Sequence, residues 1–414
     1  MQERRTDLPS HCDVLVIGAG PAGSAAAIEL ARADLNVVLV DQHAFPRDKV
    51  CGDGLIADAH QALARLGVLE TVMQQAHWAQ SLRCTGPRGQ QVDVPGTLAV
   101  LPRKRLDHIV CQAAVTAGAR MLAPMRMSGL IEEGGRVQGA CLQSGDGPTL
   151  EIRAPWVILA TGAAPAAMAA AKVVERQGPS AVAMRTYIRN PAMTSQIREL
   201  EVIFHRALSP GYGWIFPCGD GLFNVGVGVF YVDRGLLGRR RAVQTRASDQ
   251  SLRAMFEQLS AVSPRVHSLM QGGEVVAPLR GAPLRCTLEG AQLSRPGLLV
   301  AGEAAGSTYA LTGEGIGKAM ETGMLAAQAA LLAHTQSDAQ VQAHYESQIN
   351  ALRPRFKLYE RAQVFGLYPW LADVVIWRAR KSARLRQRIS GLLNETSNPA
   401  HLFTLKGLVR LFTQ

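Results

Sequence analysis

DVLVIGAGPAGSAAAIELARADLNVVLVD, residues 13–41, decides the fold of this 414-residue chain. Asp13 to Gly18 is an apolar run of strand length that ends in Gly18-Ala19-Gly20-Pro21-Ala22-Gly23. Ala22 to Arg32 then carries Ala, Ile and Leu at helical density, and Leu35 to Asp41 is a second apolar strand. Strand, glycine turn, helix and strand in such quick succession form the βαβ unit of a doubly wound parallel sheet. Gly18 permits the tight turn, Gly20 lets a diphosphate approach the backbone, and Gly23 lets the helix pack close to the sheet. Pro21 and Ala22 open the helix, whose free amides and positive end face the phosphates. Asp41 ends the second strand, where a carboxylate takes ribose hydroxyls. These six residues are therefore expected to hold the ADP half of a dinucleotide.

Working outward, residues 82–101 read as short, turn-punctuated strands and Leu106 to Ala117 as a helix. Three further strand candidates follow: GARMLAP (118–124), LIEEGGRVQGACL (130–142) and EIRAPWVILATG (151–162). The stretch from about 180 to 231 is dense in β-type segments, which predicts a separate sheet inserted into the nucleotide domain. A helix near 248–262, the strand GLLVAG (297–302) and a long helix from Gly315 to His334 come next, and the remainder reads as helical and basic. No internal repeat or low-complexity tract is visible.

GLLVAGEAAGSTYALTGEGIGKAMETG (297–323) is a second glycine cluster, too distant to belong to the first nucleotide motif. Together with the first fingerprint and the Ala160-Thr161-Gly162 strand end, it resembles FAD-dependent oxidoreductases of the p-hydroxybenzoate hydroxylase superfamily. Within that superfamily the chain is most similar to the geranylgeranyl reductase group. FPRDKVCGDGL (45–55) resembles that group's K-x-C-G-G loop, and PGYGWIFPCGDGLFNVGVGVF (210–230) its Tyr-x-Trp-x-Phe-Pro segment followed by Asn-Val-Gly. The resemblance implies that Glu303 binds the ribityl chain and that backbone groups at Gly313, Gly315 and Ile316 face the flavin. It places Gly162 at the flavin, Arg103 of PRKRLD against the FAD, and Cys51, Tyr212 and Trp214 on the substrate cavity. Three departures stand out: Glu303 where Asp is usual, Ala310 where proline is usual, and Asp53 inserted between Gly52 and Gly54.

The expected fold class is α/β. A GxGxxG, Rossmann-like FAD-binding domain (10–180 and 265–335) is interrupted by an inserted mixed β-sheet substrate domain (181–264) and followed by a basic helical C-terminal region (336–414). Strands within 82–101 contribute to the substrate side. The reaction expected of this FAD-dependent oxidoreductase is hydride reduction of a double bond in a prenyl or similar lipid-like group, with NAD(P)H as transient electron donor. Two alternatives remain open: a monooxygenase hydroxylating an aromatic substrate through a flavin hydroperoxide, and a non-catalytic or electron-transfer flavoprotein docking a partner through its basic end. Halogenation is disfavoured, because no lysine stands between Lys49 and Lys104. Cys51, Asp53 and Tyr212 are the candidate proton donors.

Composition narrows the setting. With 47% apolar residues the chain can bury a real core, and disorder is excluded. The formal charge of +11 is uneven: residues 353–414 hold twelve Lys or Arg and three acids, net +9, leaving 11 − 9 = +2 for the rest. The basic end suits an anionic membrane surface or an acidic protein, and no nucleic-acid module accompanies it. In VFGLYPWLADVVIWRARKSARLRQRISGLL (364–393), Trp370, Val374, Trp377 and Leu385 stand beside Arg378, Lys381, Arg384 and Arg388, which leaves two readings open: a basic amphipathic helix lying on an anionic membrane surface, or a capping helix packed on the flavin domain with a solvated basic face. The seven cysteines include no C-x-x-C pair, so neither a disulfide framework nor a metal site is expected. Arg4-Arg5 is not read as an export signal, because Gly18, Gly20, Pro21 and Gly23 break the apolar stretch behind it. The expected setting is the cytoplasm, free or peripheral at the inner face of the membrane. The expected substrate is bulky and apolar or aromatic, taken free or presented by a protein or membrane.

Overall fold

The computed structural model describes residues 8–176, 178–231, 251–310 and 312–397. Lys406 and Arg410 of the basic end, and the part of the inserted segment between 232 and 250, lie outside the described residues.

A six-stranded sheet carries the first fingerprint. Its order is Ser294–Arg295, Leu298–Val300, Trp156–Leu159, Val14–Ile17, Val37–Val40 and Arg120–Leu122. All neighbours are parallel except the short strand Ser294–Arg295. The three central strands are buried along their whole length, which is why they read as unbroken Val, Ile and Leu runs rather than alternating ones. From Val14–Ile17 the chain moves outward to one side and later returns on the other at Trp156–Leu159. That reversal leaves a crevice at the carboxyl ends of Ile17 and Leu159, the place where such sheets bind ligands. Gly18 sits there with φ +106°, and a Cβ on it would strike the Ala160 carbonyl oxygen, so only glycine brings the turn this close. Behind the turn, helix Pro21–Ala31 packs against helix Ile316–Leu331, with Gly323 lying directly on the Ala22 carbonyl.

EIRAPWVILATG is two strands in two sheets rather than one. Leu150–Arg153 joins Arg126–Glu133 and Arg136–Gln143 in a three-stranded sheet, whereas Trp156–Leu159 enters the parallel sheet. Pro155 separates them, since it has no N–H to continue a ladder.

The other large sheet has the order Glu274–Val275, Ala181–Arg189, Leu222–Phe230, Gly211–Gly219, Leu200–Ile203, His77–Thr85, Gln91–Val100 and Gly54–Leu55, with Arg280–Leu284 also pairing to Ala181–Arg189. It is mixed: Leu200–Ile203 runs parallel to His77–Thr85 while the other pairs are antiparallel. Residues 274–284 thus lie in this sheet, whereas the sequence division at 265 gave them to the nucleotide domain. Local patterning marks a strand without naming its partner.

The C-terminal region folds back on the same sheet. After the long helix Asp338–Ala362, helices Pro369–Lys381 and Ala383–Leu393 bury Ala372, Ile376, Ala379, Leu385 and Leu392 against Val92 and Val94. The segment packs on the body of the protein, as the capping reading has it, and Trp370, Val374, Trp377 and Leu385 do not share one apolar face. The helix breaks at Ser382, whose hydroxyl accepts from Leu385 N and caps the second helix. Leu385 turns inward, while Trp370 and Trp377 point to solvent. Among the described residues no helix is long and apolar enough to cross a membrane.

Gly323→Ala is expected to destabilise the protein by about 1–3 kcal/mol, the cost of overpacking a close helix contact. Gly129→Ala, with nothing within 4 Å of the added methyl, is the control. Urea denaturation separates the two, and equal midpoints would contradict the packing described.

Candidate functional site

A cavity of about 940 Å³ lies at the crevice and runs along the nine-stranded sheet. Gly18, Gly20, Pro21 and Ala22 of the turn, Asp41, Arg103, Gly162, Glu303, Gly313, Gly315 and Ile316 all line it. So do Cys51, Tyr212 and Trp214, so the structure brings both expected groups to one space. Gly23 is not on the wall. A Cβ there would collide with the Gly18 carbonyl, so its place is in seating the helix against the turn.

At the turn end, Asp41 is held by two backbone donors. Its Oδ2 accepts from Ala19 N at 3.0 Å and its Oδ1 from His43 N at 2.9 Å. Arg47 Nε approaches Asp41 at 3.6 Å, and Arg47 Nη1 donates to Asp107 at 2.9 Å. Arg103 is buried and grips Asp107 with two hydrogen bonds, Nε to Oδ1 at 2.6 Å and Nη2 to Oδ2 at 2.8 Å. A chain of alternating charge, Asp41, Arg47, Asp107 and Arg103, therefore runs beside the turn. Gly20 has free space on its cavity side, with only an Arg47 Nη2 atom at 3.5 Å from where a Cβ would stand. That clearance fits a diphosphate drawn in by the helix N-terminus and the Arg47 guanidinium.

At the other end, Lys49 Nζ reaches Glu303 Oε2 at 3.0 Å. Both atoms lie 4.0 Å from the position of a Cβ on Gly162, whose φ is +69°. A side chain at 162 would fill the space in front of this ion pair. Thr161 Oγ1, also on the cavity wall, is buried with no hydrogen-bond partner. An orphaned hydroxyl beside a carboxylate and an ammonium is the surface that a polyhydroxylated ribityl chain satisfies. Gly315 presses on Thr308 Oγ1 and caps helix Ile316–Leu331, whose unpaired amides face the cavity from Ile316 onward. The residues present fit FAD along its whole length.

A polar junction ties this end to the large sheet. Asp53, with φ +64° and its side chain fully enclosed, accepts from Tyr187 Oη at 2.5 Å, Asn224 Nδ2 at 2.7 Å and Arg103 N at 3.2 Å. Asn224 Nδ2 also donates to the Cys51 carbonyl at 2.7 Å, and Asn224 Oδ1 accepts from Trp214 Nε1 at 2.9 Å. Cys51 Sγ accepts from Asp53 N at 3.4 Å. Tyr212 Oη donates to the Thr312 carbonyl at 2.9 Å, fixing the ring next to Gly313. Phe204, Tyr212, Trp214, Phe216 and Phe230 form a continuous aromatic wall with centroid separations of 5.8 to 6.4 Å. Beyond it the cavity is bounded by Leu82, Val94, Val202, Ile376 and Leu392, all apolar. Burial pushes the Asp53 carboxyl up to about 6 against the opposing pull of its Tyr187 and Asn224 hydrogen bonds, and burial raises the Tyr212 phenol.

Three carboxyls sit beneath the first turn of helix Ile316–Leu331. Burial, reinforced by Asp58 and Glu395, pushes Glu314 up to about 8. Burial pushes Asp58 up to about 7 despite Lys318 Nζ at 3.8 Å. Glu395, from the end of the C-terminal hairpin, meets Lys318 at 3.6 Å and Arg355 at 3.1 Å. Glu314 Oε2 and Asp58 Oδ2 are buried without a hydrogen-bond partner.

Sequence reasoning missed Tyr187, and it quoted Arg47, Lys49, Asp107, Asn224 and Glu314 within motifs without giving their side chains a role. Lys49 and Arg47 stand inside FPRDKVCGDGL and Asn224 inside the Asn-Val-Gly segment, so the motifs pointed to them. Tyr187 carried no local signal.

Comparison with known proteins agrees with this geometry. The family described as FAD binding domain matches residues 11–265. A protein named menaquinone reductase from Mycolicibacterium smegmatis is 34% identical over 337 residues, covering 77% of this chain and 76% of that one. A digeranylgeranylglycerophospholipid reductase from Methanoculleus marisnigri is 30% identical over 341 residues, 78% of this chain and 77% of the relative. A crystal structure of a geranylgeranyl bacteriochlorophyll reductase-like protein from Thermoplasma acidophilum superposes with a TM-score of 0.72 at 20% identity, covering 98% of this chain and 97% of the other, and so shares its fold.

Two outcomes follow from the site. Glu303→Ala is expected to weaken FAD binding by roughly tenfold to a hundredfold, the worth of a hydrogen bond to a charged group. Fluorescence titration of the flavin-free protein reads it, and unchanged affinity would remove Glu303 from the site. Asp53, Asp58 and Glu314 all bind protons more tightly folded than unfolded. Stability therefore falls as pH rises from the ordinary carboxylate range through about 6, 7 and 8. Glu314→Gln is expected to raise the melting temperature of the flavin-free protein at pH values above about 8 and to leave it unchanged near pH 5. An equal effect at both pH values would contradict the raised Glu314.

Proposed function

We propose, from the premise that this chain belongs to the FAD binding domain family and is an FAD-dependent oxidoreductase, that it reduces a carbon–carbon double bond in the prenyl part of a lipid. The observation that carries this reading is the cavity itself. It leads from the FAD cradle past Cys51 and Trp214 into an end bounded by apolar side chains of the sheet and the C-terminal hairpin. A prenyl chain has no group to hydrogen-bond, so it is held by burial alone, about 0.8 kcal/mol per carbon. The names of the two relatives, menaquinone reductase and digeranylgeranylglycerophospholipid reductase, both join reduction to an isoprenoid-bearing lipid.

FAD held in the cradle, once reduced, would supply hydride chemistry. The chain's own residues do the rest. The Gly18–Ala22 turn and Asp41 hold the ADP half, while Glu303, Lys49 and the amides from Gly313 to Ile316 hold the flavin half. Tyr212, Trp214 and Phe216 close the cavity wall against water, and Asn224 fixes Trp214 through its indole N–H. Reduction also needs a proton at the second carbon. Tyr212 already donates to Thr312, and the Asp53 carboxyl is enclosed by its three donors. Cys51 is the remaining candidate: it lines the cavity, is half-buried and lies beside Arg103. We assign the proton to its thiol, and NAD(P)H as the electron donor to the bound cofactor.

Product mass tests the reading. With FAD, NAD(P)H and a detergent-dispersed geranylgeranyl lipid, the product is expected to gain two hydrogens per reduced bond. A gain of one oxygen instead would replace reduction by hydroxylation, and NAD(P)H oxidation with no change in any substrate would leave an electron carrier. Cys51→Ala is expected to lower kcat by about a hundredfold or more, the usual worth of a general acid, with FAD content unchanged.

A further inference from the structure

We propose that the outer face of helix Pro369–Lys381 docks on an anionic lipid bilayer; this rests on reading the cavity as a site for a prenyl lipid. The helix has two faces with different occupants. Its inner face, Ala372, Ile376 and Ala379, packs on the sheet, and Val375 and Ile376 line the apolar end of the cavity. Its outer face presents its two largest side chains to solvent. Trp370 is 56% exposed and Trp377 43%, seven residues and two helical turns apart and hence on one stripe. Lys381, one turn beyond, places Nζ 4.5 Å from the Trp377 ring centroid. Trp side chains in this setting match the water–hydrocarbon boundary of a membrane, where an apolar ring and a polar N–H are both satisfied.

Charge decides what kind of surface meets them. From Val374 to Asn394 the sequence holds six cations, at 378, 380, 381, 384, 386 and 388, and no acid. Arg380, Lys381 and Arg384 are exposed. The one acid of the helix, Asp373, is turned inward and accepts from Arg88 N at 3.2 Å. A face with tryptophan rings and cations, on helices whose residues 374–394 include no acid, complements anionic headgroups over an acyl layer. Docking there leaves only the thickness of one helix between the bilayer and the apolar end of the cavity, so a lipid substrate is met where it resides.

Sedimentation of the full-length, FAD-loaded chain with vesicles tests this. Binding is expected to vesicles of phosphatidylcholine with roughly one third phosphatidylglycerol, to weaken with salt, and to be absent on pure phosphatidylcholine. Trp370→Ser with Trp377→Ser, and separately Lys381→Glu with Arg384→Glu, are each expected to lower the vesicle partition coefficient about tenfold or more. Both variants should keep the parent's FAD content and its rate on a detergent-dispersed prenyl substrate. Parent protein that stays in the supernatant with anionic vesicles, or variants that sediment like the parent, would overturn the proposal. Concentration-dependent dimerisation abolished by the same variants, without vesicle binding, would assign the face to a second copy and also overturn it. Vesicle binding by a chain that reduces no prenyl substrate would sustain the surface while refuting the reaction, so the two failures are distinguishable.

Discussion

The enclosed carboxylate of Asp53 is the joint on which the architecture turns. Two sheets with apolar faces could pack at many separations and registers, because dispersion and burial are not directional. Asp53 removes that freedom by taking donors from strand Ala181–Arg189, from strand Leu222–Phe230 and from the start of the Arg103 helix. Asn224 extends the same joint to the Cys51 backbone and to Trp214. The nucleotide end, the substrate wall and the loop between them are thereby held in one geometry, which is what a satisfied buried polar network provides. The cost is visible in Asp53 itself, pushed up to about 6 by burial. Asp53, the acid inserted between Gly52 and Gly54, is thus both a departure from the group's loop and the residue that organises the pocket.

Much of the nucleotide half was legible, because its constraints are local. Gly23 must lie against Gly18, and Asp41 must end the second strand; each requirement acts within one βαβ unit and leaves a residue that can be read. The substrate half obeys partners far apart in sequence. Nothing near Tyr187 announces that its hydroxyl meets Asp53 134 positions away, or that Lys49 meets Glu303 across 254. Strand Arg280–Leu284 looked like part of the returning nucleotide domain for the same reason: a strand's pattern records burial, not the neighbour it pairs with. The buried Glu314 was hidden because it stands inside a glycine motif whose backbone was the evident reason for its presence.

The basic C-terminus changes meaning once it is folded. As sequence, its apolar and cationic residues read either as an amphipathic helix on a membrane or as a helix capping the protein. As structure, Ser382 divides it into two helices whose inner faces complete the cavity, and the tryptophans are left on the outside. Glu395 then pins the end of this hairpin to Lys318 and Arg355, beneath the helix that faces the flavin. The substrate end of the cavity and the cofactor end are therefore braced by one segment.

The proposed reaction requires the cavity to set an alkene, and no other acceptor, against the reduced cofactor. It is tested most directly by a single turnover without oxygen or nicotinamide. Protein whose FAD has been reduced by light is mixed with a geranylgeranyl lipid lacking any quinone, or with the same lipid fully saturated, and the flavin absorbance is followed. The account predicts that absorbance returns with the unsaturated lipid only, in step with gain of hydrogen by that lipid. No return, or an equal return with the saturated lipid, would contradict it.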